Sequence, residues 1–180
     1  GFGAIGGFSG RFLRDQEVSE VALGRQFAVQ ALLLAVGALL GGRLADRLDK
    51  RRATLRAGAL LALVCLGFSG VAAAGAGLPP PVHLVALGIV FLAIGLFTAV
   101  SYALLMAATD PALGSTQFSA FMGATNLCEA WSVAVAGLLI TRFGYGAAFA
   151  SLAAISLLAL PLVARIKAAD EPEPAPGAIG

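Results

Sequence analysis

The sequence predicts an all-α membrane protein, a bundle of helices crossing a bilayer. Three observations carry that expectation. Hydrophobic residues make up 59% of the chain and charged residues only 12%, about half the charged share of a soluble domain. Mean hydropathy is +0.90. Five apolar stretches, at about 18–42, 55–77, 82–107, 114–141 and 145–166, each reach the roughly 20 residues that a spanning helix needs.

Residues 1–14 open Gly-Phe-Gly without a methionine and are too short to span. They read as the end of a helix that begins upstream. They do not form a basic segment followed by a short apolar core, so no signal peptide is expected. The 15–167 region holds the five spans, separated by turn chemistry: Arg14-Asp15-Gln16-Glu17, a charged run at 43–52, Gly77-Leu78-Pro79-Pro80-Pro81, Asp110-Pro111 and Phe143-Gly144-Tyr145-Gly146. Proline lacks the donor a helix interior requires, so it ends helices or kinks them. Pro161 is expected to kink the last span. The connections are short, so successive helices should pack side by side. The tail at 168–180, AADEPEPAPGAIG, is rich in proline and acid and is expected to be a disordered cytoplasmic segment.

The charged run is the one dense charge cluster: Arg43, Asp46, Arg47, Asp49, Lys50, Arg51 and Arg52 fall within ten residues. Lys and Arg in short loops set orientation. One side holds Arg43, Arg47, Lys50, Arg51, Arg52, Arg56, Arg165 and Lys167, and the other only Arg11, Arg14 and Arg142. That bias puts the charged loop and the C-terminus in the cytoplasm, with a bacterial inner membrane as the expected location. An echo supports an inverted repeat. Gly42, Arg47 and Asp49 recur as Gly137, Arg142 and Gly144 in register, 95 residues on. Three spans separate the copies, so they face opposite sides, the pattern of inverted-topology repeats in secondary transporters.

Gly42-x-Leu44-Ala45-Asp46-Arg47-x-x-Lys50-Arg51 resembles the signature loop that follows the second and eighth helices of the major facilitator superfamily. Asp49 stands where that family prefers glycine; aspartate tolerates a left-handed backbone better than most residues. The resemblance covers residues 1 to about 167. It implies the C-terminal six-helix half of a twelve-helix permease, with the start of its first helix and an N-terminal half lying upstream. Thr116-Gln117-Phe118 resembles the muropeptide permease and acetyl-CoA transporter branch. The family loop further implies a conformational latch, here Gly42, Asp46, Arg47, Lys50 and Arg51, whose aspartate meets a helix N-terminus of the other half. A topology anchor near anionic lipid is the plainer reading of the arginine run.

Glu129 is the most informative single residue. An acid in mid-span costs about 2.5–3.5 kcal/mol on insertion scales and normally marks a substrate or proton path. Its plainer reading is a protonated acid bonded to a neighbouring helix. Asn126 lies one turn earlier on the same face. Arg25 sits inside the first span and must snorkel outward or pair with an acid such as Glu17, Glu20 or Glu129. Gln26 and Gln30 share a face. In the family the eighth, tenth and eleventh helices line the cavity, which makes Gln26, Gln30, Ser101, Tyr102, Asn126 and Glu129 the lining candidates, with Arg25 beside them. His83, after the triple proline, reads as interfacial, and Trp131 as a packing residue. Gly6/Gly10 and Gly37/Gly41 are spaced for close helix contact.

The expected function is secondary active transport of a small solute by alternating access, coupled to protons through Glu129. Two alternatives stand beside it: a drug or organic-anion efflux permease using Arg25, and a non-transporting membrane scaffold or assembly factor. The net charge of +2 is too small to suggest nucleic acid. Cys65 and Cys128 lie in apolar stretches without metal spacing and read as small hydrophobes. Without a nucleophile–base pair, phosphate loop or metal motif, neither enzyme activity nor a cofactor is expected. The expected partners are the solute, protons, lipid and the N-terminal half.

Overall fold

A computed structural model describes residues 2–165. The tail expected to be disordered lies outside the described residues. Five helices run in order: α1 (Phe2–Asp15), α2 (Glu20–Arg47), α3 (Lys50–Ala74), α4 (Pro80–Ala107) and α5 (Gly114–Val163). No strand occurs among the described residues. In a bilayer every backbone polar group must be satisfied internally, and a helix does this within one segment.

Local chemistry explains the helix ends. Ser19 caps α2 by accepting from the Ala22 N–H at 3.3 Å, and Pro80 opens α4 at a position where its missing donor is harmless. Asp110 accepts from the Ala112 N–H at 2.8 Å, while Gln117 Oε1 accepts from the Asp110 N–H at 2.9 Å. Asp49 differs from the left-handed turn residue offered by the sequence. Its φ of −52° and ψ of 124° are not left-handed, and its carboxylate caps α3 by accepting from the Arg52 N–H at 2.9 Å. A good N-cap stabilises a helix by roughly 1 kcal/mol, which gives aspartate a reason to replace glycine here.

At 1.5 Å per residue the 50 residues of α5 would extend about 75 Å, more than twice a hydrocarbon core of about 30 Å. Gly144 resolves the excess. Its φ of 79° and ψ of 173°, open only to glycine, divide α5 into a first arm, 114–143, and a second arm, 145–163. The second arm returns to the end of the bundle that carries the charged loop, where Arg51 Nη1 donates to the Ala164 carbonyl at 3.2 Å. At the opposite end the Tyr145 hydroxyl donates to Asp15 Oδ2 at 2.6 Å, tying the start of the second arm to α1.

Glycines set the helix contacts. A Cβ on Gly37 would strike the Leu92 carbonyl oxygen, one on Gly41 that of Leu96, and one on Gly95 that of Leu34. The two backbones of α2 and α4 therefore touch, and residue numbers rise together along both, so these helices run parallel. A second parallel contact joins α1 to the first arm: Gly3 meets Glu129, Gly7 meets Val133 and Phe8 meets Gly137. Ninety-five residues relate Leu34 to Glu129, and Gly37 and Gly41 to Ser132 and Ala136, which are small and buried. The two contacts thus correspond at the 95-residue offset of the expected repeat. α3 packs antiparallel on the second arm, with Gly58 against Leu160 and Gly146 against Ala73.

The core lies toward the end opposite the charged loop. There the Phe12 ring sits 5.6 Å from Phe68, 5.1 Å from Tyr145 and 5.4 Å from His83. His83 is fully buried rather than interfacial, with no partner for either ring nitrogen among the described residues. The helix it opens packs inward against Phe12, so the imidazole is covered even though it lies only one turn from the helix start. Trp131, expected to pack, is instead 55% exposed.

Close approach predicts opposite outcomes for two Gly→Ala substitutions. Gly95→Ala drives a methyl into the α2 backbone and should destabilise by roughly 1–3 kcal/mol, lowering the thermal unfolding midpoint in detergent and the monodisperse yield. Gly67→Ala meets nothing within 4 Å and should be neutral or stabilising by up to about 1 kcal/mol. Equal midpoints for the two variants would contradict the glycine contact.

Candidate transport cavity

A cavity of about 520 Å³ opens between α1, α4 and the first arm, with Leu34 of α2 at its edge. The glycine contacts create it. α1 and the first arm meet where Gly3 admits the Glu129 stem: a Cβ on Gly3 would stand 2.8 Å from Glu129 Cγ. One turn on, Gly6 has nothing within 4 Å and lines the space. Leu34 and Glu129, counterparts in the two repeats, both line the cavity. One repeat presents a leucine there and the other an acid.

The structure brings Ser101, Tyr102, Asn126 and Glu129 to one wall. Glu129 is exposed, and among the described residues no cation pairs with it; Arg14–Glu20, at 3.1 Å, is the ion pair found there. The Ser132 hydroxyl, one turn on, donates to the Glu129 main-chain carbonyl at 2.8 Å and leaves the carboxylate alone.

Arg25, Gln26 and Gln30 do not join this wall. Arg25 is exposed on α2, away from Glu129. Gln26 and Gln30 are buried, 6% and 2% exposed. Gln26 Nε2 donates to the Leu84 carbonyl at 2.9 Å, and Gln30 Nε2 lacks a partner among the described residues. Both glutamines sit on the face that meets α4. Their shared face was legible from their spacing; which neighbour it meets was not.

The aromatic part of the wall carried no sequence signal. Phe2, Phe91 and Phe97 line the cavity beside Tyr102, with Phe2 edge-on to Phe97 at 5.8 Å between ring centres. In a chain with eleven phenylalanines, no spacing rule separates these from phenylalanines facing the core or lipid.

The charged loop splits by contact. Arg51 is occupied by the end of the second arm, and Thr54 Oγ1 donates to the Lys50 carbonyl at 2.8 Å beside a core of Ala45, Ala53, Ala57 and Val100. Asp46, Arg47 and Lys50 are exposed and Gly42 is half-buried, with nothing within 4 Å of a Cβ placed on it.

Among the described residues four helices have membrane-spanning length and composition, and a largely apolar cleft with one acid opens between parallel pairs, the architecture of a membrane transport protein. Residues 1–178 match the Major Facilitator Superfamily, and the chain belongs to that family. No curated protein and no solved structure matches it.

The two thiols report this geometry directly. Cys128 lines the cavity and is exposed, whereas Cys65 is buried. A small maleimide should label one thiol in the native protein, mapped by mass spectrometry to Cys128, and the second only after denaturation. Labelling of Cys65 in the native state would contradict the packing of α3.

Proposed function

We propose that this chain is the C-terminal six-helix half of a major facilitator permease that moves a small solute by alternating access, with Glu129 as its proton-coupling acid. The observation that carries the reading is an acid without a cation partner among the described residues, on the wall of an open cavity in mid-span. Such a placement costs about 2.5–3.5 kcal/mol and is hard to justify by packing alone, since Glu129 rests its stem against Gly3 yet remains exposed on the cavity wall.

An upstream six-helix half would close the open side of the cavity and offer a helix N-terminus to Asp46. Near the C-terminal end of α2, a carboxylate faces the negative end of the helix dipole, unfavourable by a few tenths to about 1 kcal/mol. A helix N-terminus reverses that sign, so the contact would hold one state of the cycle closed and break in the other. The excess of Lys and Arg supports a cytoplasmic charged loop and an inner-membrane location. The Thr116-Gln117-Phe118 likeness to the muropeptide and acetyl-CoA branch carries no substrate here, because Gln117 does a local job in closing the turn at Asp110. Arg25 lies outside the cavity, which weighs against anion efflux, and the open cleft weighs against a packed scaffold.

The test extends the reading frame upstream and reconstitutes the product and its Glu129→Gln variant in vesicles carrying a pH dye. Solute-driven proton flux should fall about a hundredfold or more in the variant at equal protein level. Equal flux in both would remove Glu129 from the coupling path. The 180-residue chain on its own should move no solute above a liposome blank.

A further inference from the structure

The cavity wall has a one-sided electrostatic character. Glu129 is the one charged residue lining it among the described residues. Three of the five neutral hydroxyls beside it have already given up their hydrogens. Ser101 Oγ donates to the Thr98 carbonyl at 3.0 Å, Thr125 Oγ1 to the Met122 carbonyl at 2.9 Å, and Ser132 Oγ to the Glu129 carbonyl at 2.8 Å. A hydroxyl that donates to its own helix retains only lone pairs for a ligand. The rest of the wall is largely aliphatic and aromatic, with Phe2, Phe91, Phe97 and Tyr102 contributing rings, whose π-faces are negative. Carboxylate, lone pairs and rings all favour positive charge and N–H donors, and Arg25 is exposed on α2 and does not line the cavity.

We propose that the cavity binds an amphiphilic organic cation: an apolar, preferably aromatic body carrying one positive nitrogen or phosphorus centre, held by Glu129 and by cation–π contact with the rings. The inference rests on reading this cavity as the transport site, and it names the substrate class. An anion would face the Glu129 carboxylate, with the Thr98 and Tyr102 hydroxyls and the Asn126 amide as its few neutral donors. A sugar would leave many hydroxyls unmatched, since Thr98, Tyr102 and Asn126 are the O–H and N–H side chains lining the cavity with no partner among the described residues.

Tetraphenylphosphonium and tetraphenylborate share size and shape and differ in sign of charge, which makes them the probes. Their equilibrium binding is measured on the 180-residue chain in phosphatidylcholine nanodiscs, with empty nanodiscs subtracted. The chain should bind the phosphonium about tenfold or more tighter than the borate, and Glu129→Gln should weaken phosphonium binding by about tenfold while leaving the borate unchanged or tighter. Glu129→Asp, which keeps the charge, should retain most of the phosphonium affinity, and circular dichroism should show equal helix content in all three. Equal binding of the two ions, or phosphonium binding untouched by Glu129→Gln, overturns the proposal. Charge-selective binding without proton flux in the upstream-extended protein leaves this substrate class standing and removes the transport reading. Glu129-dependent flux with phosphonium binding indifferent to the variant does the reverse.

Discussion

Backbone contact between parallel helices is the constraint on which the rest of the molecule depends. Lipid tails are as apolar as leucine, so helices in a bilayer gain little by hiding their apolar faces from it; close packing decides which faces meet. In this chain the closest packing is concentrated at Gly37, Gly41 and Gly95, where α2 and α4 meet main chain to main chain. The matching contact of α1 with the first arm sets Gly3 against Glu129 and Gly7 against Val133, with Ala4 and Ala136 buried in one cluster. With two helix pairs held this tightly, the space left between them has fixed walls. The cavity is what remains when two rigid parallel pairs are set beside each other.

The repeat also explains why a single acid can dominate the site. Each pair carries one side chain at the same place on its contact, Leu34 in one and Glu129 in the other. Both point to the common space. Symmetry would have produced either two leucines, with no polar recognition, or two acids facing one cavity, each raising the cost of ionising the other. The observed mixture gives one ionisable group in an otherwise apolar cleft. Gly3 is the device that makes room for it, since a larger residue there would collide with the glutamate stem.

Much of this was legible in the sequence, and the illegible parts have a common cause. Span existence followed from length and hydropathy, because these are one-dimensional signals. The pairing of Gly37 and Gly41 with close contact was legible for the same reason. Glu129 stood out because an acid in mid-span has few innocent explanations. Gln26 and Gln30 resemble it in polarity, yet they turn to α4, because facing direction depends on how α2 rotates against its neighbour. His83 sits beside prolines that look like a surface turn, but Phe12 arrives from a distant segment to cover it. The aromatic wall was invisible, since phenylalanine is equally at home in core, lipid and cavity. Asp49 was misread because its identity suits both a left-handed turn and an N-cap, and only the dihedral distinguishes them.

The dense charge of the 43–52 loop resolves into residues with separate jobs. Asp49 ends one helix problem by capping α3. Arg51 ends another, supplying a donor to the Ala164 carbonyl where α5 runs out of intrahelical partners. Arg51 therefore braces the second arm against the start of α3 and is not simply held at the lipid surface. Asp46, like Arg43, Arg47 and Lys50, is exposed with no side-chain partner among the described residues, and it alone of these carries a negative charge beside the negative end of its own helix. Arg43 and Arg47 on the same turns offset part of that cost without removing it. A carboxylate against its own helix dipole is the physical ground for the proposed contact of Asp46 with a helix N-terminus. The loop thus joins two functions, rigid bracing inside the bundle and one acid left available at its edge.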